Sequence, residues 1–147
     1  MKFSGEFNVS IDLKGRISIP ASFRDVLREV HQSESLIVTR NENGLVAYPP
    51  QNWEEICAKV ESMPASPTKD AIWRVRIAPA QECSFNAQGR IQIPQSLRSS
   101  AALEKDVVVI GMNIKIETWG EQAHEAVIAK SEALLAEAAQ GQADLGF

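Results

Sequence analysis

Apolar and polar positions alternate in short bursts separated by turn residues, and the same burst returns later in the chain. Phe7, Val9 and Ile11 alternate with polar neighbours, as do Ile17 and Ile19. A period of two predicts half-buried strands in both places. Between them lies Asp12-Leu13-Lys14-Gly15. Glycine takes positive φ without steric cost and an Asp side chain can bond nearby amides, so the two strands are expected to pair as a hairpin. Pro20 then closes the second strand and opens a short helix over about 21–30, since proline is tolerated in a first helical turn. The apolar runs 36–38 and 45–48 bracket Asn41-Glu42-Asn43-Gly44, which predicts a second hairpin. After Pro49-Pro50, a helix near 52–63 carries Trp53, Ile56, Cys57 and Val60 on one face.

The pattern is then repeated. Ile11 to Arg24 reads IDLKGRISIPASFR, and Phe85 to Arg98 reads FNAQGRIQIPQSLR. Gly15-Arg16-Ile17 aligns with Gly89-Arg90-Ile91, Ile19-Pro20 with Ile93-Pro94, and Ser22 and Arg24 with Ser96 and Arg98, at constant offset. A weaker echo aligns Leu36-Ile37-Val38 with Val107-Val108-Val109, and Tyr48 with Trp119. Two units make a tandem duplication, not a solenoid. The expected organisation is a first repeat over 1–63, a linker and connecting segment over 64–80 that begins at Pro64-Ala65-Ser66-Pro67, and a second repeat over 81–147. Within the connecting segment, Trp73, Val75 and Ile77 alternate with Arg74 and Arg76, which favours a strand at 71–78 over the helix that Lys69-Asp70-Ala71 could begin. An alanine-rich helix is expected over about 121–139, with Val127, Ile128, Leu134 and Leu135 along one side and packed on its own domain, before a frayed end. The fold class is α+β and β-rich.

Composition adds modest constraints. With 147 residues, 44% hydrophobic and 23% charged, the chain can bury a real core and is not a disordered polymer. It has no apolar run of about 18 residues and no signal-like apolar core in Met1-Lys2-Phe3-Ser4-Gly5-Glu6, and Cys57 and Cys83 are far apart and read as buried thiols. A cytoplasmic location without membrane contact is expected. The net charge of −4 argues against nucleic acid only until its distribution is considered. Between 14 and 28, Lys14, Arg16, Arg24 and Arg28 face only Asp25, and a second basic stretch runs from Lys69 to Arg98. The acidity gathers after Glu117, in Glu121, Glu125, Glu132, Glu137 and Asp144.

These basic residues carry the candidate chemistry. If Ile17 and Ile19 face inward, Arg16 and Ser18 face out, and Arg90 and Gln92 are placed likewise. An arginine at the exit of a tight turn can offer its planar fork of donors to phosphate or a guanine edge. Lys14 adds a charge at the tip, and Arg24 and Arg28 extend the strip. Set against this, Asp12 and Arg16 could pair across the turn, and surface arginines are mostly solvated. His31, His124, Cys57 and Cys83 lack metal-ligand spacing, Ser22 and Ser96 read as helix-start residues, and no nucleophile elbow or phosphate loop occurs. Neither an enzyme nor a cofactor is expected. Trp53, Trp73 and Trp119 read as core or interface anchors.

The stretch from Asp12 through Gly15-Arg16 to Ile19-Pro20 resembles the D-x-x-G-R signature of the MraZ family, which belongs with the SpoVT–AbrB swapped-hairpin barrels. The resemblance takes in Gly5-Glu6, Tyr48-Pro49 with Trp53-Glu54, Glu82-Cys83, Gly89-Arg90 with Ile93-Pro94, Leu103-Glu104-Lys105 with the valine run, and Glu117 with Trp119, to about residue 130. It implies tandem pseudo-symmetric swapped-hairpin barrel halves with flanking helices, assembled into a ring of many subunits. It further implies a nucleoid-associated regulator of the bacterial division and cell wall gene cluster that binds direct repeats in promoter DNA. Carried over by position, Asp12 and Arg16 are tied to DNA binding, with Arg90 matching. The full set of expected DNA-binding residues is Asp12, Lys14, Gly15, Arg16, Arg24, Arg90 and Arg98. The resemblance also implies that 71–78 is largely helical, against the periodicity. Asn86 stands where the second Asp would be and Gln88 where Lys14 has its charge, so the first half is expected to contribute more. The alternative reading is an oligomeric protein-interaction module, an antitoxin-like barrel.

Overall fold

The computed structural model describes residues 2–147. Among the described residues, eight strands and six α-helices follow one another as β1 (Glu6–Ser10), β2 (Arg16–Ser18), α1 (Ala21–His31), β3 (Ser35–Asn41), β4 (Gly44–Tyr48), α2 (Pro50–Glu61), α3 (Pro67–Ile72), β5 (Gln81–Ser84), β6 (Arg90–Gln92), α4 (Gln95–Ser100), β7 (Asp106–Gly111), β8 (Ile116–Gly120), α5 (Glu121–Glu137) and α6 (Ala139–Leu145), with a π-helical turn (Trp73–Ile77) continuing α3. The chain is α+β, with a six-stranded antiparallel sheet in the order β1-β7-β8-β4-β3-β5 and a two-stranded antiparallel sheet, β2-β6.

The two halves interlock strand by strand. β1 pairs with β7 of the second half, Phe7 opposite Val109, while β5 pairs with β3 of the first half, Cys83 opposite Leu36. β4 and β8 meet at Val46 opposite Glu117, and β2 and β6 at Ile17 opposite Ile91. Exchanging equivalent strands reproduces the same order, so the duplication in sequence becomes a pseudo-two-fold in space. The expected hairpin therefore needs correction. Asp12 and Arg16 close a turn, but β1 and β2 then part, and each finds its ladder in the other half. The physical reason is that strand partners are set by the whole fold and not by nearness in sequence: β1 gains a five-residue ladder along β7, and β2 closes on its equivalent β6.

Alternation sorts the sheet into two faces. Leu36, Val38, Leu45, Ala47, Val107, Val109 and Ile116 face a core closed by Ile17, Ile19, Ile91, Ile93 and the apolar side of α1. That helix places Phe23, Val26 and Leu27 on one stripe and ends where Gln32 turns left-handed and donates its amide to the Leu27 carbonyl. Phe23 meets Phe3 and Phe7 edge-on, with centroids 5.7 and 5.4 Å away. On the opposite face, Thr39, Val46 and Tyr48 line a cavity of about 150 Å³ with Trp53, Ile56 and Val60 of α2.

The segment 71–78 is helical, which overturns the periodicity and agrees with the resemblance. The Ser66 hydroxyl accepts the Lys69 amide at 3.1 Å and Pro67 sits in the first turn, a start signal hidden inside the presumed linker. From Trp73 to Ile77 the helix widens to a π-turn, and the Arg76 guanidinium bonds the Arg40 carbonyl at 2.7 Å while the Thr39 hydroxyl donates to the Arg76 carbonyl. Capping and these anchors outweigh alternation. Ile72 and Ile77 face the cavity, while Trp73 and Val75 stay exposed. The C-terminal end also differs from expectation. No residue of α5 is buried, Ile128, Leu134 and Leu135 are exposed, and helix resumes in α6 instead of fraying. No helix among the described residues is long and apolar enough to cross a membrane.

Candidate nucleic-acid interface

Both repeat turns lie at the end of the molecule where β2 and β6 meet. In the first, the Gly15 amide bonds the Asp12 carbonyl at 2.9 Å and the Asp12 amide bonds the Arg16 carbonyl at 3.0 Å. Oδ1 of Asp12 accepts the Lys14 and Arg16 amides, both at 2.9 Å. Gly15 has φ +80°, where an L side chain is strained. In the second turn, Oδ1 of Asn86 accepts the Gln88 amide at 3.0 Å and the Arg90 amide at 2.9 Å, and Gly89 has φ +75°. Side-chain capping of this kind is what Asp and Asn are selected for in turns.

The turns diverge at the other oxygen. Oδ2 of Asp12 accepts from Nε of Arg16 at 2.7 Å and lies 3.6 Å from Nη1 of Arg90. One carboxylate thus gathers the equivalent arginines of both halves. The Arg16 amide, opposed by partial desolvation and helped by the Arg16 guanidinium and the Lys14 amide, holds the Asp12 carboxyl below its ordinary value of 3.8. Asn86 offers no such oxygen, and Nε of Arg90 is buried without a hydrogen-bond partner among the described residues.

Every expected residue falls in this region, in two different settings. Arg16 and Arg90 keep about a third of their side chains open to solvent, 30% and 29%. Lys14 is exposed at the tip and forms no ion pair among the described residues. Arg24 and Arg98, by contrast, turn toward backbone: Nε of Arg24 donates to the Ile19 carbonyl at 3.2 Å, and Nη1 of Arg98 donates to the Ile93 carbonyl at 2.5 Å. Arg28 pairs with Asp25 on the outer side of α1 at 2.7 Å.

Two participants were missed from the sequence. Gln92 donates from Nε2 to the Lys14 carbonyl at 2.9 Å, binding the tip of one turn to the strand of the other half. Its outward position beside Arg16 follows from alternation, but the cross-half pairing does not. Leu13 stands fully exposed at the first tip, where the second has Ala87. Outside this region the chemistry is quiet. Burial, then the neighbouring Glu82, pushes the Cys83 thiol up to about 11, and both cysteines are free. No three His, Cys, Asp or Glu side chains among the described residues gather as metal ligands.

A two-fold-related pair of rigid turns, each with an arginine at its exit, is a geometry for contacting a repetitive polyanion. The family described as "MraZ protein, putative antitoxin-like" matches residues 2–75 and 77–145. A protein of Syntrophotalea carbinolica named "Transcriptional regulator MraZ" is 45% identical, over all of both chains. Proteins of the same name from Syntrophobacter fumaroxidans and Ligilactobacillus salivarius are each 40% identical, covering 86% and 88% of this chain and 84% and 89% of their own. The match runs through both repeats and nearly end to end: this chain belongs to the MraZ family.

Proposed function

We propose that this protein is a transcriptional regulator that binds double-stranded DNA at direct repeats in the promoter of the bacterial division and cell wall gene cluster. The observation that carries this reading is the convergence of Lys14, Arg16 and Arg90 on one end of the molecule, set on turns fixed by Asp12, Gly15, Asn86 and Gly89. The names of the relatives support a regulator, and the planar guanidinium forks suit phosphate and guanine alike.

The halves 1–63 and 81–147, joined by 64–80, act as swapped-hairpin units of one barrel, a reading supported by the exchange of β1 and β5 between them. A ring of subunits answers the net negative charge, because linked sites multiply a modest single-site affinity. The exposed Trp73 and Val75, and the uncovered apolar side of α5, are the surfaces it would use. Such a protein works on the nucleoid in the cytoplasm. The same uncovered helix favours a second reading, a barrel that holds a protein partner.

Fluorescence anisotropy with the repeat-bearing DNA from upstream of its own gene, against scrambled DNA and at two salt concentrations, tests the first reading. Preference for the repeats, lost in Arg16→Ala with the oligomer intact and falling steeply with salt, is the expected result. Equal weak binding to both DNAs, or a flat salt response, would overturn it and favour the protein partner.

A further inference from the structure

Arg24 and Arg98 occupy equivalent places in the two repeats, one turn into α1 and α4. Each lies against the turn of the opposite half. A Cβ added to Gly15 would fall 1.6 Å from Nη1 and 2.4 Å from Cζ of Arg98, and one added to Gly89 would fall 2.5 Å from Cζ and 2.7 Å from Nε of Arg24. Each guanidinium thus occupies the space that a Cβ on the glycine would fill. Nη1 of Arg98 also reaches the Lys14 carbonyl at 3.4 Å, as well as the Ile93 carbonyl. The Gly15 carbonyl in turn accepts the Ile93 amide at 2.8 Å, and the Gly89 carbonyl accepts the Ile19 amide at 3.2 Å.

Resting on the DNA-binding reading above, we propose that Arg98 and Arg24 are positioning residues. They form a pair of crossed clamps that lock the turn of the opposite repeat and thereby set the spacing of Lys14, Arg16 and Arg90 on DNA. They contribute no phosphate contact of their own. Both glycines then serve two needs at once, positive φ and room for a guanidinium. A lysine cannot replace either clamp, because its compact ammonium lacks the planar fork of donors that fills the space against the glycine. Charge alone is not what these positions supply.

Two properties separate a clamp from a phosphate contact. A phosphate contact reduces the slope of log K against log salt by about one unit when removed, and a lysine largely restores it. A clamp changes the free protein. The test uses the full chain as Arg98→Lys, Arg98→Ala and Arg24→Lys, with Lys14→Ala as the reference for a direct phosphate contact.

The Gly15 and Arg16 amides of free Arg98→Lys should exchange with solvent about tenfold faster, as expected when a hydrogen bond to a charged donor is lost. In Arg24→Lys, the Gly89 and Arg90 amides should respond instead. Arg98→Lys should weaken binding several-fold with an unchanged salt slope. Lys14→Ala should lower the slope with unchanged exchange. Wild-type exchange in both lysine variants, or a slope lowered by Arg98→Ala and restored by Arg98→Lys, would overturn the proposal. Should Arg98→Ala not fold, the two lysine variants decide. If the wild-type protein shows no preference for the repeats, the regulator reading falls. The exchange rates then decide the clamp alone, faster rates supporting it and unchanged rates overturning it.

Discussion

In both turns a single side-chain oxygen, Oδ1 of Asp12 or of Asn86, accepts two backbone amides in the same geometry. What separates the turns is the atom beside it: a charged oxygen in the first, a neutral amide in the second. The first turn therefore holds its own arginine at 2.7 Å and draws the other half's arginine to 3.6 Å, while Arg90 keeps one buried donor without a partner among the described residues. The tips differ in the same direction, Lys14 and Leu13 against Gln88 and Ala87. Turn shape depends on one oxygen and tolerates the change to Asn. Charge placement depends on the other oxygen and does not.

The comparison can be broken or sharpened experimentally. The largest effect is expected at the pseudo-two-fold itself, where Ile17 and Ile91 are 1% and 2% exposed. Ile17→Ala and Ile91→Ala should each cost about 2–5 kcal/mol in denaturant unfolding, and by nearly equal amounts. Unequal losses would show that the halves differ in packing as well as charge. Next comes DNA affinity. Arg16→Ala should cost about 1–3 kcal/mol and relax sequence choice. Arg90→Ala should cost less, because no basic tip accompanies it, and anisotropy on the repeat DNA would show the reverse order if the second turn leads.

A smaller effect should follow Asn86→Asp, which rebuilds the first turn in the second and gives Nε of Arg90 an acceptor. A gain of about 1 kcal/mol is expected in chemical denaturation, modest because the side chain is partly solvated. The smallest effect is with pH. The Asp12 carboxyl is held below 3.8, so its contribution is complete above that value and is lost as pH falls through the lower folded value. Amide shifts of the first turn should titrate there and those of the second should not, since Asn86 has no proton to take up.

Much of this was legible in the residues. The Gly-Arg repeat announced a duplication, and the Asp-to-Asn difference announced where the symmetry would fail. Ile17 and Ile19 could be placed inward and Arg16 outward from alternation alone, because strand periodicity is a local property. Strand partners are not local, so β1 and β2 read as one hairpin although each pairs with the other half. Trp73-Arg74-Val75-Arg76-Ile77 alternates like a strand, yet Ser66 and Pro67 start a helix and Arg76 fastens it to β3. The same limit hid the clamps. Nothing near Arg98 in the sequence says that it will lie against Gly15.

The exchange of strands also sets when the molecule can become itself. Glu6 is made well before its partner Ile110, and the ladder between β1 and β7 cannot close until the segments between them have been made. β3 and β4 find each other within the first half, whereas β1 and β2 depend on β7 and β6 of the second. Non-local pairings of this kind slow folding, because loop closure must precede the contacts that reward it. Until the second repeat arrives, the edges of β1 and β2 present unpaired amides and carbonyls, a surface on which a strand of another chain can add. The duplication thus turns a meeting between two molecules into a wait within one.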